Sequence, residues 1–166
     1  MAGGSTVTTI TSTMLRVRDS KLECLDATGS VRWAVPIGSI VLVSEYTTNE
    51  GPHVDDYFLV FVSAEDGKLH FSTCSFYAGG VDEALSLLQE RLKSPLELQL
   101  QGSTEWRSRV VWPAKMAESE YFTFTPVPAE TLTAKFKEKL LGSTHEYVVS
   151  KGVQEYLQEQ LRSRFS

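Results

Sequence analysis

Near residue 80 the hydrophobic period of this 166-residue chain changes from that of strands to that of a helix. Before that point the pattern is short apolar blocks cut by turn residues. Met14 to Arg18 and Lys21 to Leu25 flank Asp19-Ser20, and Leu22 and Cys24 alternate with polar neighbours as in a half-buried strand. Asp26-Ala27-Thr28-Gly29-Ser30 reads as a turn. Val31 to Ile37 resumes a strand that Pro36 ends or bulges. Ser39 to Tyr46 is β-branched and apolar, the composition of a buried strand. A polar loop from Thr47 to Asp56 leads to a further strand, Tyr57 to Val62. The Asp66-Gly67 pair then predicts a tight hairpin to Leu69–Phe76. Residues 5–13, rich in Thr, Ser, Val and Ile, fit a first strand or an ordered lead-in.

Ala78-Gly79-Gly80 breaks this pattern, and Val81, Ala84, Leu85, Leu88 and Leu92 then form one helical stripe. Asp82 and Glu83 in the first turn and Arg91 and Lys93 at the end suit the helix dipole, and Pro95 stops the helix. Beyond it, Leu96 to Leu100 alternates as a short strand or extended link. Glu105 to Pro113 is extended and Tyr121 to Phe124 is strand-like. Ala129, Leu132, Phe136 and Leu140 predict a helix ended by Gly142, and a last helix is expected from about Val149 to Arg164. Strands followed by helices predict an α+β fold with an antiparallel sheet. The expected units are 1–94, sheet plus helix, and 95–166, a short strand region and two C-terminal helices packed on it.

Residues 14–94 resemble a pleckstrin-homology-like (PH-like) module. The resemblance rests on the short strands, the segment Val35 to Val43, the Asp66-Gly67 hairpin and the amphipathic helix from Val81 to Leu92. It implies a bent antiparallel sheet closed by a C-terminal helix. It also implies one of two uses: docking of protein ligands, or lipid-headgroup binding through basic residues near the first hairpin. Here those residues are Arg16, Arg18 and Lys21, set beside Asp19, Glu23 and Asp26.

Charge narrows the partners. The net charge is −5, and residues 1–94 carry all of it, with seven Lys/Arg against twelve Asp/Glu. Nucleic-acid binding calls for a basic stripe, and an anionic membrane repels an acidic half, so neither partner is expected. The start, Met1 to Thr6, has no basic-then-apolar signal, and no apolar run approaches the ~20 residues of a membrane helix. A soluble, cytoplasmic protein is the expectation. Cys24 and Cys74 lie in apolar strand-like runs, which favours reduced core thiols over a bridge between strands.

No catalytic motif stands out. There is no G-x-S-x-G elbow, P-loop or dinucleotide fingerprint, and no cofactor is expected. His53, Asp55 and Asp56, with Glu50 near, offer oxygen and imidazole donors in the 47–56 loop, the basis of an alternative reading as a small metal-dependent enzyme. A solvated acidic loop is the reading preferred, with no metal. His70 falls opposite the apolar face of its strand, and His145 suits a helix cap.

Trp106-Arg107-Ser108-Arg109-Val110-Val111-Trp112 is the most unusual stretch. As a regular strand it places Trp106, Ser108, Val110 and Trp112 on one face and Arg107, Arg109 and Val111 on the other. Two such arginines can grip an anionic group together, and Trp and Arg are the residue types of binding hot spots. The alternative is a core strand whose arginines pair with the acids of the first half. The sequence therefore predicts a non-enzymatic protein-binding or adaptor module that uses Trp106, Arg107, Arg109 and Trp112. Its partner would be another protein or a second copy of the chain.

Overall fold

The computed structural model describes residues 13–51, 54–123 and 148–165. Three antiparallel strands open it: β1 (Met14–Arg18), β2 (Lys21–Leu25) and β3 (Val31–Pro36), in the order β1-β2-β3. A 3₁₀ turn at Ile37–Ser39 redirects the chain into β4 (Ile40–Thr47), followed by β5 (Tyr57–Glu65) and β6 (Lys68–Ser75). The predicted hairpin holds, with Asp66 and Gly67 both at positive φ as a tight two-residue turn requires. Helix α1 (Val81–Leu92) buries the predicted stripe of Val81, Ala84, Leu85 and Leu88.

After an extended link, β7 (Arg107–Trp112) adds to the free side of β4, completing a four-stranded antiparallel sheet in the order β6-β5-β4-β7. A two-stranded ladder of β8 (Phe122–Thr123) and β9 (Val148–Val149) leads into helix α2 (Lys151–Phe165). The last helix therefore starts two residues later than its periodicity suggests: Val149 pairs with Phe122 as a strand, and the Ser150 carbonyl accepts the Gln154 N–H to open the helix. The expected helix near 129–140, His145 and residues 5–12 lie outside the described residues.

The fold is thus α+β and antiparallel, with its strands divided between two main sheets. The four-stranded sheet is the middle layer. One face meets β1–β3 and α1 through Leu22, Val43, Leu59, Phe61 and Leu88. The other meets α2 and β8 through Leu42, Val60, Val62, Phe122, Val153 and Leu157. Covered on both faces, β4 is buried at all eight positions, which is why its sequence is an apolar run and not an alternation.

Gly79 and Gly80 do more than interrupt the sheet. Gly79 exchanges backbone hydrogen bonds with β1, donating to Thr13 O and accepting from Leu15 N, each at 2.9 Å. Gly80 stands at φ 76°, and a Cβ there would lie 2.6 Å from the Leu15 carbonyl oxygen. Only glycine lets the chain pass this close to β1 and enter α1 from a left-handed conformation.

Candidate functional site

Strand β7 carries three of the four predicted binding residues, with Trp106 just before it, and a bulge decides where they point. Val43 pairs with Trp112 but the next residue, Ser44, pairs with Val110, so Val111 is an extra residue in β7. A bulge re-aims the side chains that follow it. Val110 packs into the core beneath α2, with Trp106 against its edge, whereas Val111 and Trp112 join the core beneath α1. The expectation that Trp106 and Trp112 share a face is therefore wrong, because strict alternation fails at Val111. Both tryptophans are half-buried, on opposite sides of the sheet.

Arg107 and Arg109 share a side but differ in fate. Arg107 is exposed and makes no ion pair among the described residues. Arg109 is only 7% exposed and lies opposite Glu45 of β4, itself 0% exposed. Arg109 Nη1 donates to Glu45 Oε1 at 2.5 Å and to the Glu97 carbonyl at 2.8 Å, and Nη2 donates to Glu118 Oε1 at 2.7 Å. Glu45 also accepts the Gln99 N–H at 2.8 Å, the Leu100 N–H at 3.4 Å and the Tyr57 hydroxyl. Burial works to lower the Arg109 pKa, but hydrogen bonds to Glu118 and Glu45 outweigh it and the net shift is upward. Burial, then the Glu45 carboxylate, pushes the Tyr57 hydroxyl well above its ordinary value. Arg109 Nε is buried and meets no partner among the described residues.

This network ties the 97–100 link to the sheet and forms the back wall of a cleft of about 390 Å³ on the outer side of β7. Trp106, Arg107, Gln99, Glu118 and Glu120 line it together with Arg109. The Trp106 indole donates to Asn49 Oδ1 at 2.9 Å, which fixes one orientation of the ring. Ser108 Oγ accepts the Tyr121 and Phe122 N–H groups at 3.1 and 3.0 Å and holds the 118–122 segment along β7. The site therefore offers a flat aromatic surface, an exposed cation with no ion pair among the described residues, and two exposed carboxylates, backed by the Arg109 network.

Glu45, Tyr57 and Glu118 were not singled out by sequence reasoning. A carboxylate inside the β-branched run Ser39 to Tyr46 was the available signal, since a charge in a buried strand needs a buried partner. The remaining predicted positions do not gather. His70 is exposed on β6. His53 lies outside the described residues, and Asp56 accepts the Tyr77 hydroxyl at 2.7 Å. That bond, then burial, raises the Tyr77 pKa to about 12. Among the described residues no group of three or more His, Cys, Asp or Glu side chains is placed to hold a metal ion. Near the first hairpin, Arg16 is held by Glu23 at 2.8 Å, and Arg18 lies 3.6 Å from Asp19. No helix among the described residues is long and apolar enough to cross a membrane.

Compared with known proteins, the chain matches no protein-family model, no curated protein and no solved structure.

Proposed function

We propose that this chain is a non-enzymatic protein-binding module whose docking site is the cleft beside β7. The observation that carries the reading is the division of labour between the two arginines. Arg109 is spent inside the fold on Glu45 and Glu118, and in being spent it stiffens the wall from which Arg107 and Trp106 project. A preorganised wall lowers the entropy lost on association, and an Arg and a Trp together form the usual centre of a hot spot. The occupant best suited to it is an extended segment of another protein that places a carboxylate on Arg107 and an apolar or aromatic side chain on Trp106. A second copy of this chain is the alternative occupant. Trp112, on the opposite side of the sheet, takes no part.

We further read residues 14–94 as PH-like. Support comes from β1–β6 followed by α1, with α1 lying against β1. The lipid-headgroup use has less support, because Arg16 and Arg18 each have a carboxylate beside them. Two unbridged thiols suit a reducing compartment such as the cytoplasm.

A phage-displayed random-peptide library selected on the purified chain tests the site. Enriched peptides should be rich in acidic and aromatic residues. They should lose tenfold or more in affinity against Trp106→Ala and Arg107→Glu, a loss of about 1.4 kcal/mol or more. Trp112→Phe should bind them as well as the parent chain. Light scattering of the parent and of Arg107→Glu reads self-association through the same site. A library that yields no enrichment, together with a monomeric chain, would defeat the proposal. So would peptides that bind the Arg107 and Trp106 variants unchanged.

A further inference from the structure

Cys24 and Cys74 are far apart in the chain and belong to different sheets, yet their sulfur atoms lie 3.8 Å apart. Cys24 faces inward from β2 beside Leu22, and Cys74 faces it from β6, opposite Leu59. They are 1% and 3% exposed. Trp33 covers the pair. It is the cross-strand neighbour of Cys24, its ring packs on Phe61 at 6.0 Å, and its indole donates to the carbonyl of Thr73, next to Cys74, at 3.1 Å. Both thiols thus sit beneath one aromatic clasp at the seam between the two sheets.

We propose that Cys24 and Cys74 form an oxidative modification site, at which a small hydroperoxide such as hydrogen peroxide closes a disulfide that joins the three-stranded sheet to the four-stranded sheet. A disulfide needs a sulfur separation of about 2.05 Å, so the atoms must close by about 1.8 Å. The reaction has two steps. The Cys24 thiol releases its proton, its thiolate attacks one peroxide oxygen, the O–O bond breaks, and Cys24 sulfenic acid and hydroxide form; the hydroxide takes up the released proton and leaves as water. The Cys74 sulfur then attacks the sulfenic sulfur as its thiol proton passes to the departing hydroxide, so that the S–S bond forms, the S–O bond breaks and water leaves. Two thiols lose two electrons in all, and one peroxide becomes two waters.

The order of attack follows from the surroundings. The hydrogen bond with Cys74 favours the Cys24 thiolate, and after the opposing effect of burial the positive charge of Arg32 adds to it. The same pairing, with burial, holds the Cys74 thiol up. Access comes from the sheet edges: β6 ends its sheet, β3 ends the other, and the Trp33 indole bridges them at this point through its bond to the Thr73 carbonyl. Oxidation is therefore paced by local opening of that edge.

The test treats the native full-length chain with hydrogen peroxide, quenches with an alkylating agent and follows intact mass and a non-reducing peptide map. The expected product is lighter by two hydrogens, resists alkylation and links the Cys24 and Cys74 peptides. Its unfolding midpoint rises and returns to the original value with dithiothreitol, because the cross-link restricts the unfolded chain. Trp33→Phe should form the link several-fold faster. Cys74→Ser should stop at a sulfenic acid on Cys24 that a dimedone-type probe captures. Three results would overturn the proposal: both thiols staying alkylatable at peroxide levels that oxidise the urea-unfolded chain, sulfinic or intermolecular products in place of the link, or a linked form whose midpoint is not raised.

Discussion

Replacing Arg109 by leucine should destabilise the chain more than any other substitution in β7. The change removes the positive charge facing Glu45, which is 0% exposed. Three donors remain on Glu45, from Gln99, Leu100 and Tyr57, but all are neutral. Leaving one half of a buried ion pair without its counter-charge costs about 3–5 kcal/mol. Loss of the Glu118 contact adds little, since that carboxylate is 61% exposed and such pairs contribute about 0–1 kcal/mol. Against a total stability of roughly 5–15 kcal/mol this is a large fraction. With a urea slope of about 2 kcal/mol per molar, the midpoint should fall by roughly 2 M. Glu45→Gln keeps an acceptor for the three neutral donors, so its cost should be about 1.5–3 kcal/mol. The double variant should be no less stable than Arg109→Leu alone, because no uncompensated charge is left. The assay is urea unfolding followed by tryptophan fluorescence and circular dichroism, with coincident transitions required. An Arg109→Leu cost below about 1 kcal/mol, or additive single and double costs, would refute the view that this pair acts as one unit.

Two further predictions rest on separate parts of the fold. Gly80→Ala should destabilise by about 1–3 kcal/mol in thermal or urea unfolding, since a Cβ would strike the Leu15 carbonyl and φ is positive; a neutral result would show that α1 can shift away from β1. Asp26 accepts hydrogen bonds from Thr28 Oγ1 at 2.6 Å, Thr28 N at 2.8 Å and Ser30 N at 3.1 Å, and these, the Thr28 hydroxyl foremost, hold its carboxyl below the usual carboxylate range. A depressed folded-state pKa means that the contribution of this turn is present above the unfolded value of about 3.9 and is lost as pH falls through the folded one. Carboxyl NMR titration should place Asp26 below that value in the parent and nearer to it in Thr28→Val.

Much of the secondary structure is written locally. The hairpin at Asp66-Gly67 needs residues tolerant of positive φ, and α1 needs a stripe at helical spacing with acids first and Arg91 last. Both requirements are met within a few residues of chain, so both can be read there. The start of α2 could not be, because Val149 is apolar and fits either a helical stripe or a strand; its pairing with Phe122 settles the choice. The candidate site was legible as a composition, Trp and Arg in alternation, but not as a geometry. A single extra residue at Val111 reverses the side on which Trp112 lies, and no short-range signal marks it.

By itself the sequence determined the α+β class, the hairpin turns, the break at Gly79-Gly80 before α1 and the residue types available for binding, since each depends on propensity or periodicity over a short span. The tertiary structure alone decided that Arg109 turns inward to Glu45 while Arg107 stays exposed, that the two tryptophans part company, and that two distant cysteines meet. Those outcomes depend on which strands become neighbours and in what register, a property of chain segments tens of residues apart.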